Sequence, residues 1–127
     1  MRVLLVRHAE ALPGAPDELR PLSPAGRAAA RALAERLSEL RIDAVVSSPL
    51  LRARETAEPI AKAANLDAET DTRLAPGATA DQLREAIRER GETVVVIGHQ
   101  PDLSDIVREL TGERVQFEPG DLREVDL

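Results

Sequence analysis

The amino-acid sequence predicts an α/β fold in three layers, with helices on both faces of a mostly parallel central sheet. Two observations predict it. Apolar runs of strand length alternate with longer Ala/Leu/Arg/Glu stretches of helical period, the pattern of units whose parallel strands are joined by helical crossovers. The most strongly β-branched run, Thr93 to Ile97, carries no charge and reads as a central strand buried on both faces.

The elements follow in order. Val3 to Val6 is the first strand. Ser23-Pro24 supplies an N-cap hydroxyl followed by proline at the first helical position, and Ala28, Leu33, Leu37 and Leu40 mark the apolar face of the helix it opens. Ala44 to Val46 is the second strand. Ser48-Pro49 repeats the cap-then-proline device and opens a helix to about Ala64, in which Pro59 should impose a kink or break. Leu66 to Leu74 is ambiguous. Ala80 to Arg90 is helical and Gly91 ends it, and after the Thr93 strand a further helix covers Asp102 to Leu110. Val115-Gln116-Phe117 and Leu122 to Leu127 then read as two short strands joined through Pro119-Gly120, a C-terminal hairpin at one edge of the sheet. No internal repeat, low-complexity tract or long linker interrupts the chain, so residues 1–127 are expected to form one domain.

Composition narrows the function. At 127 residues, 43% hydrophobic and 31% charged, the chain can bury a core without staples. The absence of cysteine excludes disulfides, thiolate metal sites and a catalytic thiol. The opening apolar run stops at Arg7, too short for a signal or spanning segment, so a cytoplasmic location and no membrane are expected. A net charge of -6, with one Phe and neither Trp nor Tyr, speaks against nucleic acid. Arginine supplies sixteen of the seventeen basic residues, which suits bidentate recognition of oxyanions.

In open α/β sheets the ligand crevice lies outside the carboxyl ends of the strands. Both histidines of the chain fall there. The first strand ends in Arg7-His8-Ala9-Glu10, the fourth in Gly98-His99-Gln100-Pro101, and the second runs into Ser47-Ser48-Pro49-Leu50-Leu51-Arg52. Two guanidinium forks and two imidazoles converging on a crevice make a pocket for a tetrahedral, doubly charged oxyanion, and phosphate is its natural occupant. A neutral imidazole can attack phosphorus in line while the arginines neutralise the equatorial oxygens, and no metal or other cofactor is needed. Arg52 lies early in its helix, whereas Arg54, two residues on, points about 200° around the axis and away. A metal site through His8 and His99 would require carboxylates at matching strand ends, and only Glu10 is there.

These three segments, Arg7-His8-Ala9-Glu10, Ser48 through Ala57, and Gly98-His99-Gln100-Pro101, resemble the signatures of the histidine phosphatase superfamily, whose phosphoglycerate mutase-like fold is the expected architecture. The chain is most similar to the small SixA-like phosphohistidine phosphatase branch, and Arg20 through Gly26 resembles the lead into that branch's first helix. The resemblance implies that His8 is the nucleophile, Arg7 and Arg52 are phosphate clamps, and His99 is the second pocket histidine. Two departures stand out. Ala9 replaces the family's usual Gly, and the chain ends soon after the expected hairpin, which would remove one edge of the substrate cleft.

Other branches place a glutamate after the third strand to protonate a leaving alkoxide, but the comparable stretch here is Arg73-Leu74-Ala75-Pro76-Gly77. Imidazole, with a pKa of about 6.5, leaves without such help far more readily than an alkoxide. The resemblance and the missing acid together imply a protein phosphohistidine substrate. Glu10, Asp17 and Glu18 remain candidate acids. A small-molecule phosphomonoesterase of the same fold and a non-catalytic phosphate-binding domain are the alternatives, and the sequence assigns no oligomeric state.

Overall fold

The computed structural model describes residues 1–127. Five strands, β1 (Arg2–Arg7), β2 (Ala44–Ser47), β3 (Ala68–Thr70), β4 (Thr93–Gly98) and β5 (Leu122–Asp126), form one sheet in the order β3-β2-β4-β1-β5. The first four are parallel and β5 pairs antiparallel with β1. Four α-helices, α1 (Pro24–Leu37), α2 (Leu51–Ala63), α3 (Ala80–Ile87) and α4 (Asp102–Thr111), cover the two faces. Short 3-10 turns occupy Asp17–Leu19 and Thr72–Leu74.

The two-residue period of the strands sorts the core into two layers. On one face Val3, Leu5, Val94 and Val96 pack with Leu83 and Ile87 of α3 and with Leu103 and Ile106 of α4. On the other, Leu4, Val6, Val45, Val95 and Ile97 pack with Leu33 and Leu37 of α1 and Ala57 and Ile60 of α2. β4, the most β-branched run, lies between β1 and β2, where both of its faces are buried.

Several boundaries and one motif differ from the sequence expectation. Helix α1 begins at Pro24 with Ser23 accepting from the Gly26 N–H, as expected, but it buries Gly26, Ala30, Leu33, Ala34 and Leu37 and leaves Ala28 in solvent. It stops at Leu37, and the Ser38 hydroxyl donates back to the Glu35 carbonyl at 2.6 Å. Helix α2 runs through Pro59 unbroken; the buried Ala57, Ile60 and Ala61 anchor the turns on either side of the missing N–H. The ambiguous stretch becomes β3 and the 3-10 turn after it. Helix α3 ends at Ile87, before the positive φ of Glu89 and Gly91.

The expected C-terminal hairpin is absent. Val115 to Phe117 forms no strand, because Phe117 turns its ring into the core and its carbonyl accepts from Arg7 instead of from a neighbouring strand. β5 alone closes the edge. No helix is long and apolar enough to cross a membrane.

Candidate functional site

The register of the parallel strands builds the site. Arg7 stands opposite Gly98 and Ser47 opposite Ile97, so β1, β4 and β2 release their next residues side by side. The bonds continue one step past the strands: the His8 N–H donates to the Gly98 carbonyl at 3.1 Å, and the Ser48 N–H to the Ile97 carbonyl at 3.0 Å. The imidazoles of His8 and His99 consequently lie with ring centroids 5.2 Å apart, tilted by 56°.

Each ring is oriented by a neighbour. Nδ1 of His8 is 2.8 Å from the carbonyl oxygen of Ala9. A carbonyl can only accept, so the neutral ring carries its proton on Nδ1 and the lone pair is on Nε2. His99 Nε2 is hydrogen-bonded to the Ser48 hydroxyl at 2.7 Å. Ser48 is therefore not the helix cap expected from Ser48-Pro49: α2 starts at Leu51, with Leu50 in the capping position. The hydroxyl of Ser48 also accepts from the Leu50 N–H at 3.2 Å, tying the entry of α2 to the second histidine.

Thr56 performs a similar service for the first. Its hydroxyl accepts the Ala9 N–H at 3.0 Å and donates to the Arg52 carbonyl at 2.8 Å, which joins the turn after His8 to the first turn of α2. Ala9 is completely buried in this junction, in a small cluster with Leu22 and Ala30.

Both expected arginines, Arg7 and Arg52, flank the rings, and Arg54 points away. Arg52 is only 8% exposed; Nη1 donates to the backbone oxygen of Asp17 at 2.9 Å and Nη2 to its carboxylate at 3.2 Å. Arg7 donates from Nη1 to the Phe117 carbonyl at 2.7 Å, while its buried Nε has no partner. Arg54 lies in solvent with Nε on the Pro49 carbonyl at 3.1 Å.

Sequence reasoning gave Arg20 no role in the site. It donates from Nη1 to the Asp17 carboxylate at 3.0 Å and from Nε to the Leu12 carbonyl at 2.8 Å, and its charge acts on His8. The available signal was its place before Pro21, which holds the chain extended just ahead of the Ser23 cap.

Electrostatics keep both histidines neutral. Burial is the main cause of the lowered pKa of His8, with Arg52, Arg7 and Arg20 acting in the same direction and the Ala9 hydrogen bond opposing them. His99 is pushed down to about 4, first by burial, then by His8 and Arg52. Of the three candidate acids, Asp17 is held below the usual carboxylate range by its hydrogen bonds to Arg20 and Arg52. Glu10 accepts from the Ser23 hydroxyl at 2.8 Å, and Glu18 lies in solvent on the 3-10 turn. No three His, Asp or Glu side chains come together in a way that could hold a metal ion.

A mostly parallel sheet with paired histidines and arginines beyond its carboxyl edge has the groups that a phosphatase working through histidine requires. The chain belongs to the histidine phosphatase superfamily (branch 1), whose family model matches residues 3–102. It is similar to the phosphohistidine phosphatase SixA of Escherichia coli (strain K12), with 34% identity over 119 residues, covering 87% of this chain and 74% of that protein. A solved structure of the protein histidine phosphatase SixA complexed with tungstate superposes with a TM-score of 0.87 at 33% identity, over 100% of this chain and 88% of the other. A SixA structure from Agrobacterium tumefaciens gives a TM-score of 0.84 at 27% identity, over 98% and 90% of the two chains.

Proposed function

We propose that residues 1–127 form one catalytic domain, a cytoplasmic phosphatase that removes the phosphoryl group from protein-bound phosphohistidine by way of His8. The observation that carries this reading is the 2.8 Å contact of His8 Nδ1 with the Ala9 carbonyl: it assigns the ring proton to Nδ1 and leaves the Nε2 lone pair for attack, while Arg52, Arg7 and Arg20 disfavour the charged ring.

In the first step Nε2 of His8 attacks phosphorus, the bond from phosphorus to the substrate's imidazole breaks, and that imidazole takes up a proton from solvent as it leaves. Arg7 and Arg52 offset the charge that the transition state spreads over the equatorial oxygens. His99, neutral at pH 7, adds a hydrogen bond to one oxygen from Nδ1–H when the Ser48 hydroxyl donates to its Nε2. Water then attacks the phosphoryl group on His8, releasing phosphate and restoring the neutral ring.

The choice of phosphohistidine over an ester rests on the acids. Asp17 is ionised between two arginines, and Asp71, two residues before the Arg73–Gly77 stretch, is bound by Arg73 and held below its usual range. Neither can protonate an alkoxide at neutral pH.

A substrate panel tests the reading. Phosphohistidine should be hydrolysed fastest, an aryl phosphate more slowly and glycerol phosphate slowest. The enzyme should carry an acid-labile, alkali-stable phosphoryl group that His8→Ala abolishes. Equal turnover of a sugar phosphate would replace this reading with a small-molecule phosphomonoesterase, and phosphate binding without labelling would replace it with a binding domain.

A further inference from the structure

Five large apolar side chains are well exposed, and two of them share one loop: Leu12 at 42% and Leu19 at 56%. The others, Met1, Leu40 and Leu127, lie at the chain ends or just past α1. Every residue from Leu12 to Leu19 is exposed, and the segment Leu-Pro-Gly-Ala-Pro-Asp-Glu-Leu is apolar apart from its two acids.

This loop is nonetheless ordered. The Leu12 N–H donates to the Pro21 carbonyl at 2.9 Å, its own carbonyl receives Arg20 Nε at 2.8 Å, and the Leu19 N–H donates to the Pro16 carbonyl at 3.1 Å. The two leucines are therefore held on a fixed backbone with about half of each residue left in water.

The loop is also part of the rim of the phosphate pocket. Asp17, between the leucines in sequence, is bonded to Arg52 at 2.9 and 3.2 Å. A folded protein delivering its phosphohistidine to His8 covers about 800 Å² of this surface, a disc of roughly 16 Å radius. Leu19 is two residues from Asp17, and consecutive Cα atoms lie about 3.8 Å apart, so it falls inside that disc. Leu12, bonded through its carbonyl to Arg20, falls inside it as well.

Building on the phosphohistidine reading above, we propose that Leu12 and Leu19 form the docking face for the protein that carries the phosphohistidine, and that this partner presents an apolar patch beside its phosphorylated histidine. A lipid surface does not fit: Asp17 and Glu18 stand among the leucines and the net charge is -6, which repels anionic headgroups. A second copy seated on this face would cover Arg52 and close the pocket.

The test compares free phosphohistidine with an isolated phosphotransfer domain phosphorylated on histidine by phosphoramidate. Wild-type enzyme should show at least tenfold higher kcat/KM on the protein. Leu12→Ser and Leu19→Ser should each lower that value about tenfold, with the loss in KM, and leave turnover of free phosphohistidine unchanged. Equal kcat/KM of wild-type enzyme on the two substrates, or variants that keep the preference for the protein, would overturn the proposal. So would a wild-type dimer in sedimentation that both substitutions dissociate. Failure of the phosphohistidine reading looks different: neither phosphohistidine is turned over while an ester is.

Discussion

Asp17 grips Arg52 twice, accepting Nη1 on its backbone oxygen at 2.9 Å and Nη2 on its carboxylate at 3.2 Å. A phosphoryl group entering the pocket must share this guanidinium with a carboxylate that is already ionised. Asp17→Asn keeps the backbone contact and a side-chain acceptor but removes the charge. Tungstate should then inhibit at several-fold lower concentration, while hydrolysis of phosphohistidine stays within a few-fold of wild type. A general acid would behave otherwise, since its loss lowers the rate by about 10² to 10⁴. A drop of that size in Asp17→Asn would make Asp17 the proton donor.

Arg52 and Arg54 sit two residues apart and should fail differently. Arg52→Ala should lower kcat/KM by about 10² to 10³, the scale for losing one preorganised transition-state donor. Arg54 reaches only the Pro49 carbonyl from solvent, so Arg54→Ala should change kcat/KM by less than about threefold. Steady-state kinetics on one substrate decide between them, and equal losses would contradict the placement of Arg52.

Acid should act on activity and stability through the same rings. His8 attacks only when neutral, and its pKa is lowered from 6.5, so kcat/KM should be flat at neutral pH and fall only on the acidic side, below 6.5. In the unfolded chain a histidine protonates near 6.5, while native His99 resists until about 4. Across that window the unfolded state binds more protons, so stability declines as pH drops from 6.5 to about 4. Asp17, Asp43 and Asp71, lowered from 3.8, add their own losses at still lower pH. Urea midpoints at pH 7, 5.5 and 4.5 should fall less in His99→Gln than in wild type; parallel curves would argue against a buried, neutral His99.

Gly26 shows why a helix can require a weak helix former. A Cβ at this position would meet the Glu10 carbonyl oxygen at 2.1 Å, on the backbone two residues beyond His8. Alanine improves helix propensity by about 1 kcal/mol, but forcing an extra methyl into a packed site costs about 1–3 kcal/mol, and here the obstacle is backbone. Gly26→Ala should therefore lower the melting temperature by several degrees and reduce activity, because α1 cannot retreat without moving the His8 turn. A rise in melting temperature would show that the two segments separate freely.

The legible part of this protein was local. Thr93 to Ile97 named the central strand through its β-branched side chains, Ser23-Pro24 opened α1, and Arg7-His8 and Gly98-His99 announced themselves as the only histidines, each directly after a strand. Helical angles alone separated Arg52 from Arg54, because residues two apart face different ways. What depends on distant partners had no local signal. Ser48 looked like a cap and instead holds His99, 51 residues away. Val115 to Phe117 had strand propensity, but Arg7 and the core claimed Phe117 and left β5 to close the edge alone. Asp17 is one of three candidate acids in the sequence, and only tertiary structure sets it against Arg20 and Arg52. Propensity, capping and periodicity are properties of neighbours in sequence and can be read there, whereas the partner of a buried polar group is chosen by which elements the sheet order brings together.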